Sequence, residues 1–141
     1  MALGIGMNNL LTAYDIDGVL VPDCDHFPDI GGLDEFYALA AKMRPIFIPT
    51  GDFILITARP KQYSHITWKW CGDYMDPLPI GLFHGCQKEP PHRYKTDVLN
   101  ANPHIKRYIE SDQLIVDYLK LHVTTGCEIV HFKTFMQDIL K

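Results

Sequence analysis

Asp15 and Asp17 stand two residues apart, directly after the apolar run Leu10-Leu11-Thr12-Ala13-Tyr14 and directly before Gly18. An extended chain turns its i and i+2 side chains the same way, so two carboxylates at a strand end converge on one small volume. Such a pair repels itself unless a divalent cation neutralises it or one member keeps a proton, and both conditions suit phosphoryl transfer. A turn rich in Asp and Gly is the plain structural alternative. A carboxylate at Asp15 could attack phosphorus in line with the leaving oxygen, and Asp17 could protonate that oxygen and then activate water. Lys95 falls near a helix start, where the macrodipole disfavours a cation, so an anion such as Asp15 or a bound phosphate is its expected partner. Lys88, in the preceding loop, is the competing lysine.

Three later stretches reinforce the pair. Thr57-Ala58-Arg59-Pro60 closes the apolar run from Phe53, Lys95 follows Pro90-Pro91, and Glu110-Ser111-Asp112 follows Arg107 to Ile109. In that order the four stretches resemble the motifs of the haloacid dehalogenase superfamily in its phosphatase branch, and they span most of the chain. The resemblance implies a small capless member, with Asp15 as nucleophile and Asp17 as acid and base. Thr57 would give its hydroxyl to the phosphoryl group beside backbone N–H groups of Ala58 or Arg59, and Lys95 would complete the catalytic set. A carboxylate at the position of Asp17 marks the phosphate-processing branch. Mg²⁺ is the implied cofactor, held by Asp15, the backbone carbonyl of Asp17, and Glu110 and Asp112 together, one directly and one through water; oxygen donors favour it over zinc. Asp117 ranks third for that last place, since it lies about a turn and a half into the next helix. Ser111 departs from the family, where many relatives carry two adjacent acids. Arg59 is open to two readings, a cation for a second anionic group on the substrate or a solvated helix-start residue.

The 141 residues suffice for one domain with a real core, at 47% hydrophobic and 21% charged content. A formal net charge of −4 gives no electrostatic footprint for nucleic acid or an anionic membrane. Cys24, Cys71, Cys86 and Cys127 form no C-x-x-C pair, and reduced thiols are expected. His84, Cys86 and His92 match no common zinc spacing. Residues 1–9 do not read as a signal peptide, no apolar run is long enough to span a bilayer, and a cytoplasmic protein is expected.

The elements that must hold these residues alternate. The patterning predicts strands at Leu10 to Tyr14, Ile46 to Ile48, Phe53 to Thr57, Ile80 to His84, Arg107 to Ile109 and Cys127 to Phe132. It predicts helices at Leu33 to Met43, from Pro60 through Tyr74, at His92 to Ala101, Gln113 to His122 (with Leu114, Ile115, Tyr118 and Leu119 inward) and Thr134 to Leu140. Phe53 to Thr57 has no polar alternation, as befits a strand covered on both faces. The expected fold is therefore α/β, Rossmann-like and doubly wound, with a mainly parallel five-stranded sheet and helices on both faces. Residues 22–50 form a flap, a helix and a short hairpin, too little for a large cap domain. In such folds ligands bind beyond the carboxyl ends of the strands, where all four stretches fall. The expected activity is hydrolysis of a small phosphomonoester, such as a nucleotide or sugar phosphate, through an aspartyl phosphate. The alternatives are a polynucleotide 3'-phosphatase or phosphotransferase of the same fold, or a non-catalytic binding module.

Overall fold

The computed structural model describes residues 10–85 and 88–140. Strand β1 (Thr12–Tyr14) leads through a loop and a 3₁₀ turn at Cys24–His26 to helix α1 (Leu33–Ala40). Then follow β2 (Phe53–Pro60), α2 (Ser64–Tyr74), β3 (Gly81–Gly85), α3 (Pro91–Ala101), β4 (Arg107–Glu110), α4 (Gln113–His122), β5 (Glu128–His131) and α5 (Phe132–Ile139). The sheet order is β3-β2-β1-β4-β5, and every pairing among these strands is parallel. This is the α/β doubly wound architecture expected from the patterning, without a large cap among the described residues.

Alternation along the strands explains why helices cover both faces. Tyr14, Phe53, Leu55 and Ile109 point into one core, closed by Phe36 and Tyr37 of α1, Trp70 and Cys71 of α2, and Phe132 and Phe135 of α5. Ala13, Ile54, Ile56, Tyr108 and Ile129 point into the other, closed by Val98 and Leu99 of α3 and Val116 and Leu119 of α4. The chain changes face after β3 and re-enters the sheet beside β1. A crevice therefore opens beyond the ends of β1 and β4, where the strand order reverses. Register sets what faces it: Tyr14 pairs with Ile109, and the Asp15 N–H donates to the Ile109 carbonyl at 3.0 Å. Asp15 and Glu110 thus leave adjacent strands side by side, one residue beyond the Tyr14–Ile109 pair.

The structure corrects several element expectations. Residues 46–48 form no strand; Ile46 and Ile48 are exposed, and only Phe47 turns inward, against Tyr14, Phe132 and Phe135. Both sides of β1 are already taken by β2 and β4, so the sheet offers no partner there, and the expected hairpin is absent. The segment is pinned instead by the Ile46 N–H donating to the Leu20 carbonyl at 2.7 Å, and nearby by the Trp70 indole N–H donating to the Met43 carbonyl at 2.8 Å. Pro60 ends β2 with ψ 150° rather than opening a helix, and a 3₁₀ turn at Lys61–Tyr63 precedes α2. Proline's fixed φ serves an extended residue as readily as a helical one. On α4 Leu119 is buried and Ile115 partly packed as expected, but Val116 is the other buried residue and Leu114 is 79% exposed, so the expected face is rotated by about a quarter turn. The α1 helix stops at Ala40, β5 is shorter than expected, and α5 starts earlier, at Phe132.

Candidate active site

The turn after β1 is built to bring its acids into the crevice. The Ile16 carbonyl accepts from the N–H groups of Val19, Leu20 and Val21, at 3.2, 2.8 and 3.2 Å, winding the chain tightly behind Asp17. Gly18 takes φ +90°, and a Cβ there would collide with Ser111 Oγ, so the turn and the loop after β4 approach only because this residue has no side chain. Gly18→Ala should accordingly cost about 1–2 kcal/mol from the left-handed backbone alone, with added strain from displacing Ser111. A thermal melt of the purified variant checks it, and an unchanged melting temperature would contradict the close approach.

Asp15, Asp17, Ala58, Arg59, Lys95, Glu110, Ser111 and Asp112 line one pocket of about 240 Å³ at this crevice, together with Asp23 and Tyr37. A larger cleft of about 510 Å³ lies between α4, β5 and α5 but contains none of these acids, so size alone does not mark the site. Thr57 is buried directly behind the pocket, and its Oγ1 accepts the Arg59 N–H at 3.1 Å. That backbone donor, expected to face a phosphate, is thus engaged by Thr57.

Lys95 is 2% exposed and sits one turn into α3 rather than in its first turn, because the helix begins at Pro91. Its ammonium donates to Glu110 Oε1 at 2.6 Å and lies 3.2 Å from Asp15 Oδ2. Lys88 is exposed. Glu110 is saturated: Oε1 also accepts the Tyr108 hydroxyl at 2.8 Å, and Oε2 accepts the N–H groups of Ser111 and Asp112 at 3.0 and 3.1 Å. Burial works to raise the Glu110 carboxyl, but the charge and hydrogen bond of Lys95 outweigh it and hold the group below its usual range. Asp15, 6% exposed, has its Oδ1 on the Ile16 N–H at 2.9 Å and shares Lys95 with Glu110. Burial, followed by the Glu110 charge, pushes Asp15 well above the usual carboxylate range against the opposing pull of Lys95. Two buried carboxylates share one ammonium, and Asp15 is the one that burial and Glu110 press toward its protonated form.

Arg59 lines the pocket and is not a solvated helix-start residue. It is 3% exposed and clamps Asp17, with Nη2 donating to Oδ1 at 2.7 Å and Nε donating to Oδ2 at 2.9 Å. Its Nη1 donates to Thr67 Oγ1 at 3.2 Å, and its guanidinium carbon lies 4.7 Å from the Tyr37 ring centre. Asp112 caps α4, its Oδ1 accepting the N–H groups of Leu114 and Ile115 at 2.9 and 3.5 Å. Asp117 is exposed and accepts from the Gln113 amide at 2.8 Å, away from the pocket. Of the supposed metal cluster, Cys86 lies outside the described residues, as do residues 1–9. His84 is buried on Thr67, whereas His92 packs edge-on to Tyr118. No family model matches the chain, and no curated protein and no solved structure matches it.

The donor set can be judged against a hard divalent cation. Among the described residues no three His, Cys, Asp or Glu side chains close on one point. Mg²⁺ keeps several waters and needs only one or two carboxylates, so that stricter arrangement is not required. Asp15 lines the pocket with fewer donors on it than Glu110 has, the Asp17 carbonyl is not among the acceptors of its turn, and Asp112 lines the same pocket. These oxygens fit Mg²⁺; Glu110, with both oxygens spent on four donors, fits it less well than Asp112.

Asp23 and Tyr37 are pocket residues that the motifs did not reveal. The sequence offered one signal for Asp23, three aspartates in the loop hanging from the carboxylate pair, but not which of them turns inward. Its Oδ1 accepts the Cys24 N–H at 2.6 Å, which opens the 3₁₀ turn and fixes the residue at the pocket wall.

Proposed function

We propose that this chain is a capless phosphatase of the haloacid dehalogenase type, which hydrolyses a small phosphomonoester through an aspartyl phosphate. The observation that carries the reading is the convergence of four separated stretches, Asp15 with Asp17, Ala58 with Arg59, Lys95, and Glu110 with Asp112, on one pocket at the switch point of the sheet. Asp15 attacks phosphorus, the bond to the leaving oxygen breaks, and Asp17 supplies the proton which that oxygen takes up. Water then attacks the aspartyl phosphate, Asp17 takes the water's proton, and inorganic phosphate leaves with the Asp15 carboxylate restored. Lys95 stays charged throughout, since Asp15 and Glu110 together outweigh the effect of its burial, and it steadies the negative charge gathering around the transferred group. Asp15, the Asp17 carbonyl and Asp112 would hold Mg²⁺, which when bound neutralises charge on the phosphoryl oxygens.

Hydrolysis of 4-nitrophenyl phosphate by the purified protein, with and without a chelator, tests the reading. Asp17→Asn should lower turnover of a poor leaving group by ~100- to 10,000-fold and spare a good one. A folded wild-type protein that releases no phosphate from either kind of ester in the presence of Mg²⁺ would overturn it. No helix among the described residues is long and apolar enough to cross a membrane.

A further inference from the structure

We infer that Arg59 acts through Asp17 as its positioning residue, rather than as a contact for the substrate. This rests on the reading of Asp17 as the proton carrier. A carboxylate that must give a proton to one oxygen and later take one from water has to be held in a single orientation, yet Asp17 follows a strand end and is part exposed. The paired N–H donors of Arg59 meet its two oxygens in the fork geometry that fixes a carboxylate's plane as well as its place. Each oxygen keeps a further lone pair, so the clamp still leaves Asp17 able to carry a proton.

Arg59 is itself held from behind. Thr67 Oγ1 accepts from Arg59 Nη1 at 3.2 Å and lies within hydrogen-bond reach of the Tyr63 carbonyl at 3.3 Å and of His84 Nε2 at 3.2 Å. The Tyr37 ring covers the guanidinium, which is buried on a chain running from β3 through α2 and β2 to the loop after β1. Three of the five guanidinium N–H groups are committed within this chain. An arginine meant to meet a substrate's second anion would point its fork at the pocket mouth; this one points it at Asp17.

The test compares wild type, Arg59→Ala, Asp17→Asn and the double variant on two esters, 4-nitrophenyl phosphate and glycerol phosphate, measuring kcat and KM for each. Arg59→Ala should lower kcat on glycerol phosphate by about 100-fold and leave KM within about threefold, with a much smaller loss on the nitrophenyl ester. The double variant should be no slower than Asp17→Asn alone, and added guanidinium should restore Arg59→Ala but not Asp17→Asn. If instead KM rises on both esters with kcat retained, or the two losses multiply in the double variant, Arg59 contacts the substrate and the inference falls. Should Arg59→Ala fail to fold by its thermal melt, Thr67→Val, altered outside the pocket, must show the same split between the esters in smaller degree; a uniform change would overturn the inference. A wild type inactive on both esters would remove the phosphatase reading and this inference with it, whereas an active wild type with the wrong Arg59 pattern removes the inference alone.

Discussion

Asp15→Asn should abolish turnover, by about 10⁴-fold or more, in a protein that melts no lower than its parent. The amide keeps the size of the side chain but has no anionic oxygen to attack phosphorus, so the covalent route closes. The stability half of the result follows from charge. Asp15 and Glu110 bring two buried carboxylates to one ammonium, Lys95, and the substitution leaves a one-to-one pair of Lys95 and Glu110 at 2.6 Å. Because the fold raises the Asp15 carboxyl, by burial first and by Glu110 second, the native state favours its protonated form. That preference stabilises the fold fully below the unfolded value of about 4 and is lost as pH rises through the folded value. As pH rises through that folded value the wild type loses it, and the amide, which never ionises, escapes the cost. Steady-state assay and thermal melts at pH 7 in chelator check both halves. A folded Asp15→Asn protein with near-normal turnover would remove the proposed mechanism, and one that melts far below the wild type would show that the Asp15 charge supports the fold.

The residues that announce themselves in the sequence are those whose role is local. Asp15 follows an apolar run and Gly18 comes three residues later, and those two facts place it at a strand end; Phe53 to Ile56 is uniformly apolar because both of its faces are covered. From such runs the order of elements and the parallel sheet were legible, as was the meeting of the four stretches at strand ends. Partner choice was not. Arg59 finds Asp17 from 42 positions away, and nothing near it in the chain separates a clamp from a solvated helix start. The saturation of Glu110 depends on Tyr108, two residues back on the same face of β4, and on Lys95 arriving from α3. Helix phase was similarly ambiguous on α4, where Leu114, Ile115, Val116, Tyr118 and Leu119 offer two apolar faces and only packing against Val98 and Leu99 selects Val116 and Leu119. At Ile46 to Ile48 the apolar run suggested a strand, but β1, against which Phe47 packs, is already paired on both sides.

The same shared ammonium makes Lys95→Met the most destabilising single change expected in the site. Methionine fills similar space with an unbranched chain, so packing is nearly conserved and the loss isolates the charge. Without the ammonium, Glu110 keeps the Tyr108 hydroxyl and two backbone N–H groups, but Asp15 keeps only the Ile16 N–H, and the two carboxylates face each other in a buried space. Breaking a buried ion pair from one side typically costs about 3–5 kcal/mol, because the remaining charge is left uncompensated. Here two charges are left, which puts the expectation at the upper part of that range. Activity should vanish as well, but stability is the sharper measurement because it needs no assumption about substrate. Urea unfolding at pH 7 should show the loss, and the loss should shrink at pH 5, where a carboxyl held above its usual range takes up a proton more readily than in the unfolded chain. Glu110→Gln added to Lys95→Met should recover part of the loss by removing one of the two facing charges. If Lys95→Met unfolds at the same urea concentration as the wild type, the buried cluster does not carry the charges assigned to it, and the electrostatic case for Asp15 as an activated nucleophile falls with it.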